Sequence, residues 1–110
     1  MAAVVVLCTA PAAGERGKLA ADALARQLVE ERLCACVNVL PGVRSVFRWQ
    51  GKVDVAEECL LVLKTTRAAA ARLRERIVAL HPYEVPEVLE FDVDGGLPAY
   101  LQWLTSSVGP

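Results

Sequence analysis

The sequence lacks an excess of charge of either sign. Twelve Lys and Arg stand against thirteen Asp and Glu in 110 residues, for a formal net charge of −1. That balance argues against a basic nucleic-acid-binding arm and a polybasic membrane anchor. No apolar run reaches membrane-spanning length, so no transmembrane helix is expected. The run Val4-Val5-Val6-Leu7 has no basic residues before it and is too short for the apolar region of a signal peptide. There is no low-complexity linker and no short-period repeat. G-x-G-x-x-G, Walker A, H-E-x-x-H and G-x-S-x-G are all missing. The chain has no C-x-x-C, and it has a single histidine, His81.

What is present is a rather apolar small chain. Hydrophobic residues make up 55% and the mean hydropathy is +0.36. A single domain over residues 1–110 is the expectation, with a core that needs no metal or disulfide staple. The apolar surplus points to a buried subunit interface. The four cysteines, Cys8, Cys34, Cys36 and Cys59, lack a secretory context and are expected to be reduced packing residues.

Ala2 to Cys8 reads as a strand with both faces covered, because its apolar run does not alternate. From Glu15 to Arg32 the pattern becomes that of an Ala-rich amphipathic helix, with Leu24, Leu28 and Val29 on its apolar side. Cys36 to Leu40 and Val43 to Trp49 form one strand interrupted at Pro41-Gly42, which predicts a bulge or bend on an edge strand. Gln50-Gly51 turns the chain into Lys52 to Thr65, whose root Cys59-Leu60-Leu61-Val62-Leu63 is apolar on both faces. Arg67 to Leu80 is a helix with an apolar seam of Leu73, Ile77 and Leu80, and His81-Pro82 ends it. Val88 to Val93 alternates as a half-buried edge strand. Pro98 opens a short helix to Ser106. The order β-α-β-β-α-β-α predicts an α+β fold, a ferredoxin-like sandwich of an antiparallel sheet with helices on one face.

The hairpin arms of about 14 residues should span roughly 45 Å. A domain of this size is only about 34 Å across. The hairpin therefore bends or overhangs, and its distal part carries Val46, Phe47, Trp49, Val53 and Val55. An isolated ribbon is marginal in water. Packing of the tip on a neighbouring subunit is expected, against the alternative of a hairpin curled over its own sheet.

The densest polar segment is His81-Pro82-Tyr83-Glu84-Val85-Pro86-Glu87. It serves either as a helix cap, with the Tyr ring packed between prolines, or as a ligand loop on a rigid scaffold. His81 ends a helix, where the dipole favours a protonated ring. Cys8 and His81 are donors that suit copper or zinc, and the ends of their elements lie on neighbouring strands of such a sheet. A Cys–His nucleophilic pair is conceivable, but no orienting third group or oxyanion motif accompanies it. Glu57 and Glu58 are expected to be solvated. Lys64, Arg67 and the arginines of the second helix are either an anion site or a salt-bridged surface.

Several segments together resemble one known family. They are Glu30-Glu31-Arg32-Leu33, Ala35-Cys36-Val37-Asn38, Pro41-Gly42-Val43, Arg48-Trp49-Gln50-Gly51-Lys52-Val53, Leu63-Lys64-Thr65-Thr66, the His81–Glu87 loop, and Tyr100-Leu101-x-Trp103-Leu104. In order and spacing they look like the CutA1 family of divalent-cation tolerance proteins. The resemblance implies a homotrimer built like the PII signalling proteins, with hairpins wrapping their neighbours. It implies a non-enzymatic, cytoplasmic protein that handles Cu(II) or another divalent ion, with no organic cofactor, nucleic acid or membrane partner. The family's proposed copper ligands map onto Cys8 and His81, while the position of a further histidine is taken by Leu80. The family's intersubunit cleft implies ligand-binding roles for Trp49, Lys64, Tyr83, Glu84 and Tyr100. A small molecule or a protein partner at that cleft is the alternative function.

Overall fold

The computed structural model describes residues 2–14 and 18–110. Its elements are β1 (Ala3–Ala10), α1 (Ala21–Glu30), β2 (Cys36–Trp49), β3 (Lys52–Thr66), α2 (Arg67–Leu80), β4 (Leu89–Asp92) and α3 (Pro98–Ser107). The strands form one antiparallel sheet in the order β2-β3-β1-β4. The α+β class, the antiparallel sheet and the long hairpin agree with the sequence. Among the described residues no helix is long and apolar enough to cross a membrane.

Alternation sorts the central strands into two faces. Val4, Val6, Cys8 and Ala10 of β1 join Cys59, Leu61 and Leu63 of β3 on one face. There they pack against Leu24 and Leu28 of α1 and Leu73 and Ile77 of α2. Each such large side chain, fully buried, contributes about 1.5–3 kcal/mol. The α2 helix is fixed at its start by the Thr66 hydroxyl, which accepts from the Ala69 N–H at 3.3 Å. A smaller cluster of Ala3, Ala35, Ala69, Leu104 and Val108 seats α3.

The other face corrects the expectation that β1 and the root of β3 are covered on both sides. Val5 and Leu7 of β1 and Leu60 and Val62 of β3 are only half-buried. Leu40 of β2 and Leu89 and Phe91 of β4 are exposed beside them. Helices α1 and α2 supply one apolar layer, α3 seats at the Ala3 end of the sheet, and among the described residues nothing covers the rest of this second face. On β4 the charged residues turn the opposite way. Glu90 pairs with Arg67 and Arg74, and Asp92 pairs with Arg67 at 2.6 Å. Three of the four arginines of α2 are thus salt-bridged, Arg67 and Arg74 to β4 and Arg76 to Glu31 at 2.9 Å, while Arg72 donates to the Gly109 carbonyl.

The predicted interruption at Pro41-Gly42 is a one-residue bulge. Leu40 pairs with Leu60, but Val43 pairs with Glu58, so β2 uses one residue more than β3 across that step. Gly42 takes φ +76°, which the kink requires and a side chain resists. The extra residue exchanges the faces of β2. Asn38 and Leu40 share the open face with Ser45, Phe47 and Trp49 beyond the bulge. Gln50 and Gly51 both have positive φ, 51° and 80°, the geometry of a tight hairpin turn. The long hairpin stretches the molecule to 44 × 28 × 22 Å, and Val46, Phe47, Trp49, Val53 and Val55 stay exposed along it.

The first helix is shorter than its sequence pattern. Its expected start at Glu15 lies outside the described residues. Lys18 and Leu19 are not helical, because both are tied to the end of α2. Lys18 Nζ donates to the Ala79 carbonyl at 2.7 Å and the Leu19 N–H to Leu80 at 3.0 Å. The helix stops at Glu30, two residues short of Arg32. Arg32 sits in the left-handed region at φ 60°. The N–H groups of Arg32 and Leu33 close back onto Val29 and Leu28 at 2.9 and 3.1 Å. Glycine usually marks such an end, and here an arginine does the same work. Its guanidinium is tied to the Ser106 carbonyl at 3.1 Å.

Candidate functional site

β4 pairs with β1 only as far as Leu7, which leaves the edge of β1 beyond it open. The segment after α2 fills that gap. His81 is 1% exposed, and its Nε2 donates to the Thr9 carbonyl at 2.7 Å. Its Nδ1 accepts from the Tyr83 N–H at 3.0 Å. An acceptor at Nδ1 and a donor at Nε2 define a neutral ring of one tautomer. Burial lowers the affinity of His81 for a proton, and this outweighs the Thr9 hydrogen bond and the nearby Glu58. The protonated ring expected from the helix end is therefore overturned. Desolvation wins over the dipole.

The Cys8 thiol points to the same Thr9 carbonyl at 3.6 Å. Cys8 and His81, 73 positions apart, thus meet at one acceptor. Burial, reinforced by Glu87 and Glu58, pushes the Cys8 thiol up to about 12. Cys34 is likewise pushed up to about 12 by burial. All four cysteines are free, with Cys8, Cys34 and Cys59 buried and Cys36 half-buried. A metal centre needs a thiolate and an unoccupied ring nitrogen. Both ring nitrogens of His81 are engaged and the Cys8 thiol keeps its proton. Among the described residues no group of three or more His, Cys, Asp or Glu is placed to hold a metal ion. In this arrangement the pair does not fit a resident metal centre.

Beyond His81, the loop turns Tyr83 toward the hairpin. The Tyr83 hydroxyl donates to Glu58 at 2.8 Å. Burial, together with that carboxylate, pushes the Tyr83 hydroxyl's pKa up, so it stays protonated. The rings of His81 and Tyr83 lie 4.7 Å apart, tilted. Glu58 is buried, which corrects the expectation of a solvated side chain. Nothing local signals its burial, since its partner lies 25 residues further along the chain.

Tyr83, Glu84 and Glu87 form one wall of a cavity of about 900 Å³. Phe47, Trp49, Asp54 and Glu58 of the hairpin form the other wall. The bulge at Pro41-Gly42 makes this possible, because it puts Phe47 and Trp49 on the face that carries Glu58. Three of the five residues expected at a ligand cleft, Trp49, Tyr83 and Glu84, therefore come together. The other two do not join them within one chain. Lys64 lies at the far end of the open face, bonded to Asn38 and 3.6 Å from the Cys36 sulfur. Tyr100 on α3 stacks on Trp103 at 5.4 Å, and its hydroxyl lies beside Cys36.

The model of the CutA1 divalent ion tolerance protein family matches residues 4–107. The chain belongs to the CutA1 family. It is 47% identical over 105 residues to the divalent-cation tolerance protein CutA of Thermus thermophilus, covering 96% of this chain and 97% of that one. The solved Thermus structure superposes with a TM-score of 0.87 over 97% of this chain and 99% of that chain. CutA1 from Oryza sativa, 38% identical, gives 0.88 over 98% and 94%. CutA from Archaeoglobus fulgidus, described as periplasmic, is 31% identical and gives 0.86 over 97% and 99%. These CutA1 relatives thus share this fold over nearly the whole chain.

Proposed function

We propose that this CutA1 chain serves divalent-cation tolerance as a homotrimer, without enzymatic activity and in the cytoplasm. The role rests on the names of its relatives, which call them divalent-cation tolerance proteins. The assembly rests on one observation: the sheet face opposite α1 and α2 is apolar and, among the described residues, only partly covered. A second copy's surface is the simplest cover, and the overhanging hairpin reaches beyond its own domain toward it. The strand order β2-β3-β1-β4 supports a ferredoxin-like sandwich and a PII-like trimer.

Copper or another divalent ion is the proposed cargo rather than a built-in cofactor. Cys8 and His81 are its candidate donors, and each must give up its bond to Thr9 to take it. Calorimetric titration of Cu(II) into reduced protein, with the mass checked by light scattering, tests this. Tight binding that disappears in Cys8→Ser/His81→Ala supports the cargo role. Weak binding, or binding the double variant retains, removes it.

A second reading has its own support. The cavity walled by Trp49, Tyr83 and Glu84 suits a PII-like module that takes a small molecule or a protein segment at a subunit cleft.

A further inference from the structure

We propose that Lys64 of one copy pairs with Glu84 and Glu87 of the next, and that this joint sets the register in which the copies meet. This rests on the homotrimer proposed above and names its charged contact.

Lys64 puts a charge on an otherwise apolar stretch. It lies on the open sheet face in line with Leu60 and Val62 of β3 and opposite Val5 of β1. It is half-buried already in the single chain. An ammonium has three N–H donors. Asn38 Oδ1 accepts from Lys64, and the Cys36 sulfur lies at 3.6 Å. Neither is a carboxylate, and among the described residues Lys64 has no ion-pair partner. A surface laid over this face strips water from the ammonium. A buried charge without a counter-charge is costly, so the cover must bring an anion to Lys64.

The same chain carries that anion at the other end of the face. Glu84 and Glu87 are exposed on the loop after α2, across from Glu58 and the hairpin. Among the described residues neither has an ion-pair partner, and no Lys or Arg lines the space they face. Glu58 is committed to Tyr83, which leaves Glu84 and Glu87 free to face a partner. Glu58 precedes Lys64 by six residues on β3, roughly 20 Å at the rise of a strand. Lys64 and the two loop carboxylates are therefore too far apart to pair within one chain. Leu60, Val62, Leu7 and Leu40 lie between them.

A cation at one end, an apolar middle and carboxylates at the other make this face complementary to a second copy of itself. Displaced head to tail, each copy gives Lys64 to one neighbour and Glu84 and Glu87 to the other. In a closed ring none of these charges is left over. Contacts of this kind fix register and exclude wrong partners more than they add affinity.

The test is light scattering of the intact, reduced protein over a dilution series, with circular dichroism as the check on the fold. The variants are Lys64→Met, Glu84→Gln/Glu87→Gln, and the two combined. Lys64→Met keeps the stem and loses the charge. It and the Gln pair should each raise the concentration at which the assembly dissociates by about tenfold or more. The combined protein should be no weaker than either alone, because both sides of one joint are then neutral. Unchanged dissociation in Lys64→Met or in the Gln pair overturns the inference and leaves the homotrimer standing. So do two losses that simply add in the combined protein, which would place Lys64 and the loop in separate contacts. A wild-type protein that is a single chain throughout the series overturns both.

Discussion

The hydroxyl of Tyr83 is hydrogen-bonded at 2.8 Å to Glu58, a carboxylate almost wholly buried in β3. One contact therefore ties the loop after α2 to the base of the hairpin. Tyr83→Phe removes the donor and leaves the buried acceptor behind. The expected loss is about 1–3 kcal/mol, the cost of an unsatisfied buried polar group. Glu58→Gln in the Tyr83→Phe background should recover part of it, because a neutral amide is cheaper to bury. Urea unfolding at fixed protein concentration measures both. A loss within about 0.5 kcal/mol, the range of neutral surface changes, would mean the bond holds nothing together.

His81 makes stability depend on pH in a defined direction. Its ordinary value is 6.5, and burial lowers it in the folded chain. As pH falls through 6.5 the unfolded chain binds the proton first. Stability is therefore lost on acidification, from about the unfolded value down to the folded one. Metal-free protein should melt at a lower temperature at pH 5 than at pH 7.5. His81→Gln should show a shallower dependence over that interval. Equal slopes in the two proteins would assign the acid sensitivity to other groups.

Gly42 is held at φ +76° with open space around its Cα. Gly42→Ala therefore meets no neighbour and pays only for its backbone, about 1 kcal/mol or somewhat more. Gly95 is equally open but carries no positive φ, so Gly95→Ala should be near neutral or stabilising. Thermal melts of the two variants side by side decide the matter. Equal effects would detach the cost from the bulge.

The open sheet face predicts how assembly fails. Leu7→Asp places a charge at its centre, opposite Val62. If a second copy covers that face, light scattering should show a fall in mass toward the single chain. Val78→Asp changes an exposed valine on α2, away from the sheet, and should leave the mass unchanged. A full-sized assembly in Leu7→Asp would place the interface elsewhere.

Most of the architecture is legible in the sequence because it is written in short-range periods. The long hairpin, the seam of α2 and the Pro41-Gly42 interruption each appear in the structure where the pattern puts them. The misses have long-range causes. Arg32 ends α1 in a conformation usually marked by glycine, stabilised by a carbonyl 74 residues away. Glu58 is buried by a tyrosine that its own strand does not announce. Whether β1 is covered on both faces is not decided within the chain at all. An apolar run reads the same whether a helix or another subunit lies over it. The site was half-legible for a related reason. Trp49, Tyr83 and Glu84 share a cavity, while Lys64 and Tyr100 belong to the Cys36 end of the sheet.

The extra residue at Pro41-Gly42 sets a parity rule for the whole arm. Between Leu40 and the turn, every side chain's facing depends on whether the count of residues is odd or even. Adding or removing one residue there turns the tip inside out and sends Phe47 and Trp49 away from Glu58. Adding two, matched on β3, only lengthens it. Relatives that keep the cavity are therefore expected to differ in arm length by even steps. An odd step should appear only with a second, compensating irregularity in the same strand.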